Sequence, residues 1–156
     1  MKKLTFLIII LLNLNTKIIA SEIYGSAIII DGDTIKILNN SIRLNGIDAP
    51  ERIQKCTKNS KKYNCGATAT LALKKKINQK KVKCLIQKNK DKYNRLIGVC
   101  FTKAINLNKW MVRSGYAIAY RRYSKDYVVD EEFAKKNKLG LWSGTFLKPE
   151  KWRKLN

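Results

Sequence analysis

The stretch Ile23-Tyr24-Gly25-Ser26-Ala27-Ile28-Ile29-Ile30-Asp31-Gly32-Asp33-Thr34-Ile35-Lys36-Ile37-Leu38-Asn39-Asn40-Ser41-Ile42-Arg43-Leu44-Asn45-Gly46-Ile47 decides the fold. Ile23–Ile30 is apolar and rich in β-formers, and Asp31-Gly32-Asp33 is a turn signal. Thr34–Leu38 alternates, with Ile35 and Ile37 on one face, and Asn39-Asn40 marks a second turn. In the third run, Ser41–Ile47, Ile42 and Leu44 share one face while Arg43 and Asn45 share the other. The pattern is a three-strand meander. Beyond it, Pro50 biases Ala49 away from helix, so Asp48-Ala49-Pro50-Glu51 is extended or turning.

Downstream, Gly66–Ile77 has helical spacing, with Ala67 and Leu71, and Ala69 and Leu73, four residues apart. Lys81–Gln87 and Leu96–Phe101 read as two more strands around Asp91-Lys92-Tyr93. Ile105–Ser114 is a second helix closed by Gly115, with Leu107, Trp110 and Met111 inward. Asp126–Leu139 is a third, with early acids, late lysines and Gly140 at the position after its end. The order β-β-β-α-β-β-α-α predicts an α+β, mainly β, protein: a five-stranded OB-type barrel with three helices.

The chain has 156 residues, 45% of them hydrophobic, which suits one packed domain. Met1–Ala20 reads as a secretory signal peptide, with Lys2 and Lys3 before an apolar run and Ala20 at the cut. The apolar run is about half the length that a membrane span needs. The domain is then 21–156. Loss of Lys2, Lys3 and Lys17 takes the net charge from +22 to +19. No membrane association is expected after cleavage, and the destination is the periplasm or the medium.

Export makes the four cysteines readable as two disulfides, with three possible pairings. Proximity favours Cys56–Cys65, across a short Lys-rich stretch, and Cys84–Cys100, across two strands. If Cys84 and Cys100 lie directly opposite, the turn centres on Lys92 and leaves Asp91-Lys92-Tyr93 as a three-residue loop. A zinc site is the alternative, although no CxxC pair is present.

There is no histidine. That excludes a Ser-His-Asp triad, paired-histidine ribonuclease chemistry, a Cys-His protease and a His-ligated zinc centre. Acid–base work falls to carboxylates, Lys, Tyr, Cys or water. Residues 52–103 carry sixteen Lys and Arg against one acid, Asp91, whereas four of the eleven acids lie between Asp31 and Glu51. Lysine supplies 26 of the 33 cations, alongside abundant Ile and Asn. An AT-rich coding sequence produces that mix, so part of the basicity says nothing about partners. Trp110, Trp142, Trp152, Tyr123 and Tyr127 read as packing residues, and Lys74-Lys75-Lys76 as a solvated face.

Turn chemistry and salt bridges explain the four acids blandly. A cation site where phosphate arrives explains them more sharply. Adjacent meander strands bring Asp33 and Asp48 to one end of the barrel. Hard cations such as calcium take carboxylate, carbonyl and water oxygens. Two carboxylates and a carbonyl make a low-charge site, of weak affinity until a phosphate completes it. Arg43, beside them, can clamp a phosphate in bidentate fashion, and Arg95 is a second guanidinium candidate. Glu51 can accept a proton from water in a metal-assisted displacement.

Three stretches carry a resemblance: Asp31-Gly32-Asp33-Thr34, Arg43-Leu44-Asn45-Gly46-Ile47-Asp48-Ala49-Pro50-Glu51 and Asp91-Lys92-Tyr93-Asn94-Arg95. With Asn106-Leu107-Asn108, Gly115-Tyr116-Ala117 and Gly140-Leu141-Trp142-Ser143-Gly144, the chain resembles the staphylococcal (thermonuclease-like) nuclease family. The resemblance implies calcium-dependent cleavage of DNA and RNA without strong sequence specificity, at the 5′ P–O bond, leaving 3′-phosphates, by a monomer. Carried over, Asp33, Asp48 and the Ala49 carbonyl hold Ca²⁺. Arg43 and Arg95 bind the phosphate, and Glu51 activates water. Asp31 and Thr34 support the metal loop, and Lys92, Tyr93 and Tyr120 contact the nucleotide. Asn94 stands where the family usually has Gly, at a turn position expected to need φ > 0, which Asn tolerates best. The rival readings are a non-catalytic OB module that binds nucleic acid or another polyanion, and a cationic surface-interaction protein.

Overall fold

The computed structural model describes residues 21–156; the signal peptide expected at 1–20 lies outside the described residues. Strands β1 (Ser21–Ile29), β2 (Thr34–Ile37) and β3 (Asn40–Leu44) form the expected meander. They are followed by β4 (Ile47–Asp48), the hairpin β5 (Lys55–Lys58) and β6 (Lys61–Asn64), and helix α1 (Cys65–Ile77). Next come β7 (Lys81–Lys90), β8 (Leu96–Thr102), β9 (Ile105–Asn106) and α2 (Leu107–Arg113). The chain ends with β10 (Ile118–Ala119), α3 (Val128–Lys136), a 3₁₀ turn (Gly140–Ser143) and α4 (Pro149–Leu155).

The strands run β3-β2-β1-β7-β8, and a parallel β3–β8 pairing closes them into a five-stranded barrel. Alternation does what the sequence demands. Ile35, Ile37, Ile42 and Leu44 point inward and are essentially buried, while Arg43 stays on the other face. Ala69, Leu73 and Ile77 of α1, and Leu107 and Met111 of α2, join the same core. Asn64 caps α1 by accepting from the Ala67 amide.

Both disulfides have the expected partners, Cys56–Cys65 and Cys84–Cys100. Cys84 lies directly opposite Cys100, as the hairpin reading required. The three-residue loop does not survive. A register shift between Ile86 and Lys90 pairs Lys90 with Leu96, so the connection runs from Asp91 to Arg95. The bulge lets the strand ends twist and aims the loop across the barrel mouth. Within the loop Asn94 has φ 63°, the left-handed conformation expected of a residue standing in for glycine.

Other boundaries move for identifiable reasons. Asn106 caps α2 through the Lys109 amide, so Ile105 and Asn106 pair with β8 instead of starting the helix. Helix α3 ends at Lys136, and the first left-handed residue beyond it is Lys138 at φ 52°; Gly140, also left-handed at φ 51°, lies two residues further on. Gly140 is small because a Cβ there would lie 2.3 Å from the Gly115 carbonyl oxygen. Leu141 donates to that same carbonyl at 2.8 Å. Tyr127 is buried as a packing residue, whereas Tyr123 is 63% exposed, contrary to its reading as one. Helix α4 is an addition to the three expected helices. Among the described residues no helix is long and apolar enough to cross a membrane.

The two crosslinks close loops of nine and sixteen residues. Chain-entropy arguments assign each about 3 kcal/mol. Urea titration of Cys56→Ser/Cys65→Ser should therefore show a loss of about 2–3 kcal/mol with the barrel left intact. An unchanged midpoint would mean that the hairpin bridge constrains nothing.

Candidate active site

The strand order and the turns after β1, β3 and β7 converge on one end of the barrel. There a cleft of about 890 Å³ is lined by Asp31, Asp33, Arg43, Glu51, Arg95 and Arg153, among others. Asp48 and Ala49 are buried alongside it, at 0% and 3% exposure.

Asp33 precedes β2, and its position is fixed from three sides. Its Oδ2 accepts from the Ala49 amide at 2.7 Å, Oδ1 accepts from the Thr34 hydroxyl at 3.1 Å, and Arg43 forms an ion pair with it. Asp31 steadies the same turn by accepting from the Asp33 amide at 3.0 Å. Asp48 is held by the short pairing of β4 with β10, where it lies opposite Ile118. Arg43 Nη2 reaches Asp48 Oδ1 at 3.1 Å, so one guanidinium bridges both buried carboxylates.

Burial sets the electrostatics. It raises the pKa of Asp48, opposed by the bonds and charges of Arg153 and Arg43. It likewise raises Asp31, opposed by Arg43. Burial lowers the Arg43 pKa, with Asp48 pulling it back up. The cluster is mutually compensated rather than solvated, the condition on which buried charges persist.

Arg95 arrives from the other side. Asp91 accepts from the Arg95 amide at 2.9 Å and from its Nε at 2.7 Å, and Arg95 Nη1 donates to the Thr34 hydroxyl at 3.2 Å. Arg43 and Arg95 therefore both border the loop that carries Asp33. On the rim, Tyr93 is 66% exposed beneath the Lys92 ammonium, 4.9 Å from its ring centroid. Tyr120 packs edge-on against Tyr123 across the cleft wall, at 4.8 Å between centroids. All the sequence-predicted site residues are thus at this end of the barrel.

Sequence reasoning missed Tyr123 and, more consequentially, α4. Arg153 of that helix donates through Nη1 to Asp48 Oδ1 at 2.9 Å and to Glu51 Oε1 at 2.8 Å, and through Nη2 to Asp48 Oδ2 at 3.2 Å. Pro149 at the first helical position, Glu150 in the first turn and Arg153 and Lys154 in the last are start and stop signals for the helix. They give no sign that it docks on a residue 105 positions earlier.

Among the described residues, no group of three or more His, Cys, Asp and Glu side chains gathers as a metal centre. A cation here would rest on Asp33, Asp48, a backbone carbonyl and water. That all-oxygen donor set fits a hard cation such as calcium, and the guanidinium between the two carboxylates shows that the pocket accepts positive charge.

The model of the family described as Staphylococcal nuclease homologue matches residues 41–144. A Haemophilus influenzae protein described as an uncharacterized endonuclease is 38% identical over 132 residues, covering 80% of this chain and 68% of its own. A Shigella flexneri micrococcal nuclease is 33% identical over 145 residues, covering 81% and 77% respectively. The Rhizobium meliloti succinoglycan biosynthesis protein ExoI is 33% identical over 126 residues, 79% of this chain and 66% of that protein.

The Asp91 carboxylate organises the Arg95 loop, so its removal has a local signature. Burial pushes its pKa up, but bonds from the Arg95 and Tyr93 amides and the Arg95 guanidinium outweigh this and hold it below the ordinary carboxylate value. The ordering is complete above that ordinary value and is lost as pH falls through the depressed one. A bond to a charged acceptor contributes about 1.5–3 kcal/mol. Asp91→Ala should speed amide exchange at Tyr93 and Arg95 about tenfold or more, read by hydrogen exchange and corrected for intrinsic rates. Unchanged protection would show that the loop holds without Asp91.

Proposed function

Since the chain belongs to the Staphylococcal nuclease homologue family, we propose that it is an exported, calcium-dependent nuclease of DNA and RNA, cleaving the 5′ P–O bond and leaving 3′-phosphates. Family membership makes it a phosphodiester hydrolase. The metal, the residue roles, the product ends and the export are the proposal. The observation that carries it is one cleft bordered by two guanidinium groups, with two buried carboxylates at its base and Glu51 at its edge.

In this reading Asp33, Asp48 and the Ala49 carbonyl hold Ca²⁺. Bound there, the ion neutralises phosphate charge and polarises the phosphoryl oxygens. Arg43 and Arg95 grip the scissile phosphate from two sides. In that grip they would donate to the charge that builds as the fifth oxygen approaches phosphorus. Glu51 takes the proton of the attacking water at a carboxylate oxygen. Asp31, Thr34 and Asp91 hold the ligands and the second arginine in place. Lys92, Tyr93 and Tyr120 support the nucleotide, and a basic rim without a base-reading element favours phosphate contact over sequence choice. Two disulfides support the exported reading and a signal peptide at 1–20.

The residue 21–156 protein should degrade plasmid DNA and RNA with calcium and stop with EGTA. Arg43→Ala should keep binding yet lose about 10²–10³ in rate, the usual effect of removing one transition-state donor, and Glu51→Gln, which removes the base, should keep binding yet lose about 10²–10⁴. Binding with intact substrate under the same conditions would return the chain to the non-catalytic OB reading. If Arg43→Ala cleaves like wild type, the phosphate clamp is elsewhere.

A further inference from the structure

The family match ends at residue 144, yet the chain continues into the cleft. Glu51 is tied to this continuation at both ends of the residue. Its amide donates to Gln54 Oε1 at 3.2 Å, and its carbonyl accepts from the Gln54 amide at 2.7 Å. Gln54 is fully buried, and its Nε2 donates to the Leu147 carbonyl at 2.7 Å. So the backbone of Glu51 is clamped through Gln54 to the segment that leads into α4. Its carboxylate is held by the same segment, through Arg153 Nη1.

Asp48 is bound in parallel. The Glu150 amide donates to Asp48 Oδ2 at 3.0 Å, and Arg153 covers both carboxylate oxygens. The planar fork of an arginine fixes direction as well as charge, which the point charge of a lysine does not. A side chain that spans Asp48 and Glu51 sets the distance between a metal ligand and the water-activating carboxylate.

We propose that Arg153 is a positioning residue of the nuclease, and that the C-terminal segment from Leu147 to Arg153 completes the active site built on the barrel. The inference rests on the nuclease reading. It does not require Arg153 to touch substrate. It assigns to α4 the task of holding Glu51 where a water between it and phosphorus can be deprotonated. A displacement of about 1 Å in such a group costs about 10² in rate.

The test compares wild type, Arg153→Ala, Arg153→Lys and Lys151→Ala, the last removing an exposed charge from the same helix. Steady-state cleavage of a short fluorescent DNA is paired with calcium calorimetry and thermal melting. Arg153→Ala should lower kcat about 10–100-fold with KM changed less than threefold, without tightening calcium binding. Arg153→Lys should recover part of kcat, and Lys151→Ala should match wild type. Two results overturn the proposal. One is an Arg153→Ala enzyme with wild-type kcat. The other is tighter calcium binding with equal or higher kcat, which makes Arg153 a plug on Asp48. The first of these, accompanied by a lowered melting temperature, reduces α4 to a structural role. An inactive wild-type protein condemns the nuclease reading itself, and so is distinguishable from failure at Arg153.

Discussion

Two carboxylates cannot be buried at one end of a small barrel without positive charge between them. Asp33 and Asp48 are 6% and 0% exposed, and the Arg43 guanidinium bridges them. Everything nearby follows from that bridge. It requires β2 and β3 to pair so that Thr34 faces Arg43, and it requires β4 to be drawn in by β10. Leaving one charge of such a cluster unpaired costs about 3–5 kcal/mol, a large share of the stability of a domain this size. The barrel and the site are therefore one structure, and the cleft is polarised before any ligand arrives.

The distribution of arginine sharpens the meaning of the positive charge. Lysine dominates the cations, and only Lys90, Lys92 and Lys154 line the cleft. Of the seven arginines, Arg43, Arg95, Arg122 and Arg153 line it. Coding bias toward lysine does not produce that concentration. Planar, always-charged forks suit the phosphate grip proposed for this cleft. Basic surface elsewhere contributes long-range attraction that salt screens.

The barrel was legible because its signals are local. Ile42 and Leu44 alternate with Arg43, and Cys84 faces Cys100, so period and register agree. The acids between Asp31 and Glu51 stood out against a basic chain, and a recognisable motif tied them together. What escaped depended on distance or on close approach. The two-residue strands β4 and β10 are too short for a periodic signal, yet they hold Asp48. The shift between Ile86 and Lys90 falls where the alternation of β7 stops, in an exposed stretch with no hydrophobic pattern to mark its register. Gly140 has the left-handed backbone of a terminator but lies past the end of α3, where its lack of a side chain admits the Gly115 carbonyl. Tyr123 sits among arginines and tyrosines whose faces the sequence does not distinguish. Arg153 was invisible because its meaning lies in Asp48 and Glu51, not in its neighbours.

In the proposed reading, Asp33 and Asp48 form a low-charge oxygen site whose affinity for calcium depends on a phosphate. Calorimetric titration of calcium into the protein, with and without a nucleoside 3′-phosphate, tests it most directly. The expected result is weak binding alone, marked tightening with the nucleotide, and loss of both in Asp48→Asn. Calcium binding that is indifferent to the nucleotide, or that survives Asp48→Asn unchanged, would contradict it.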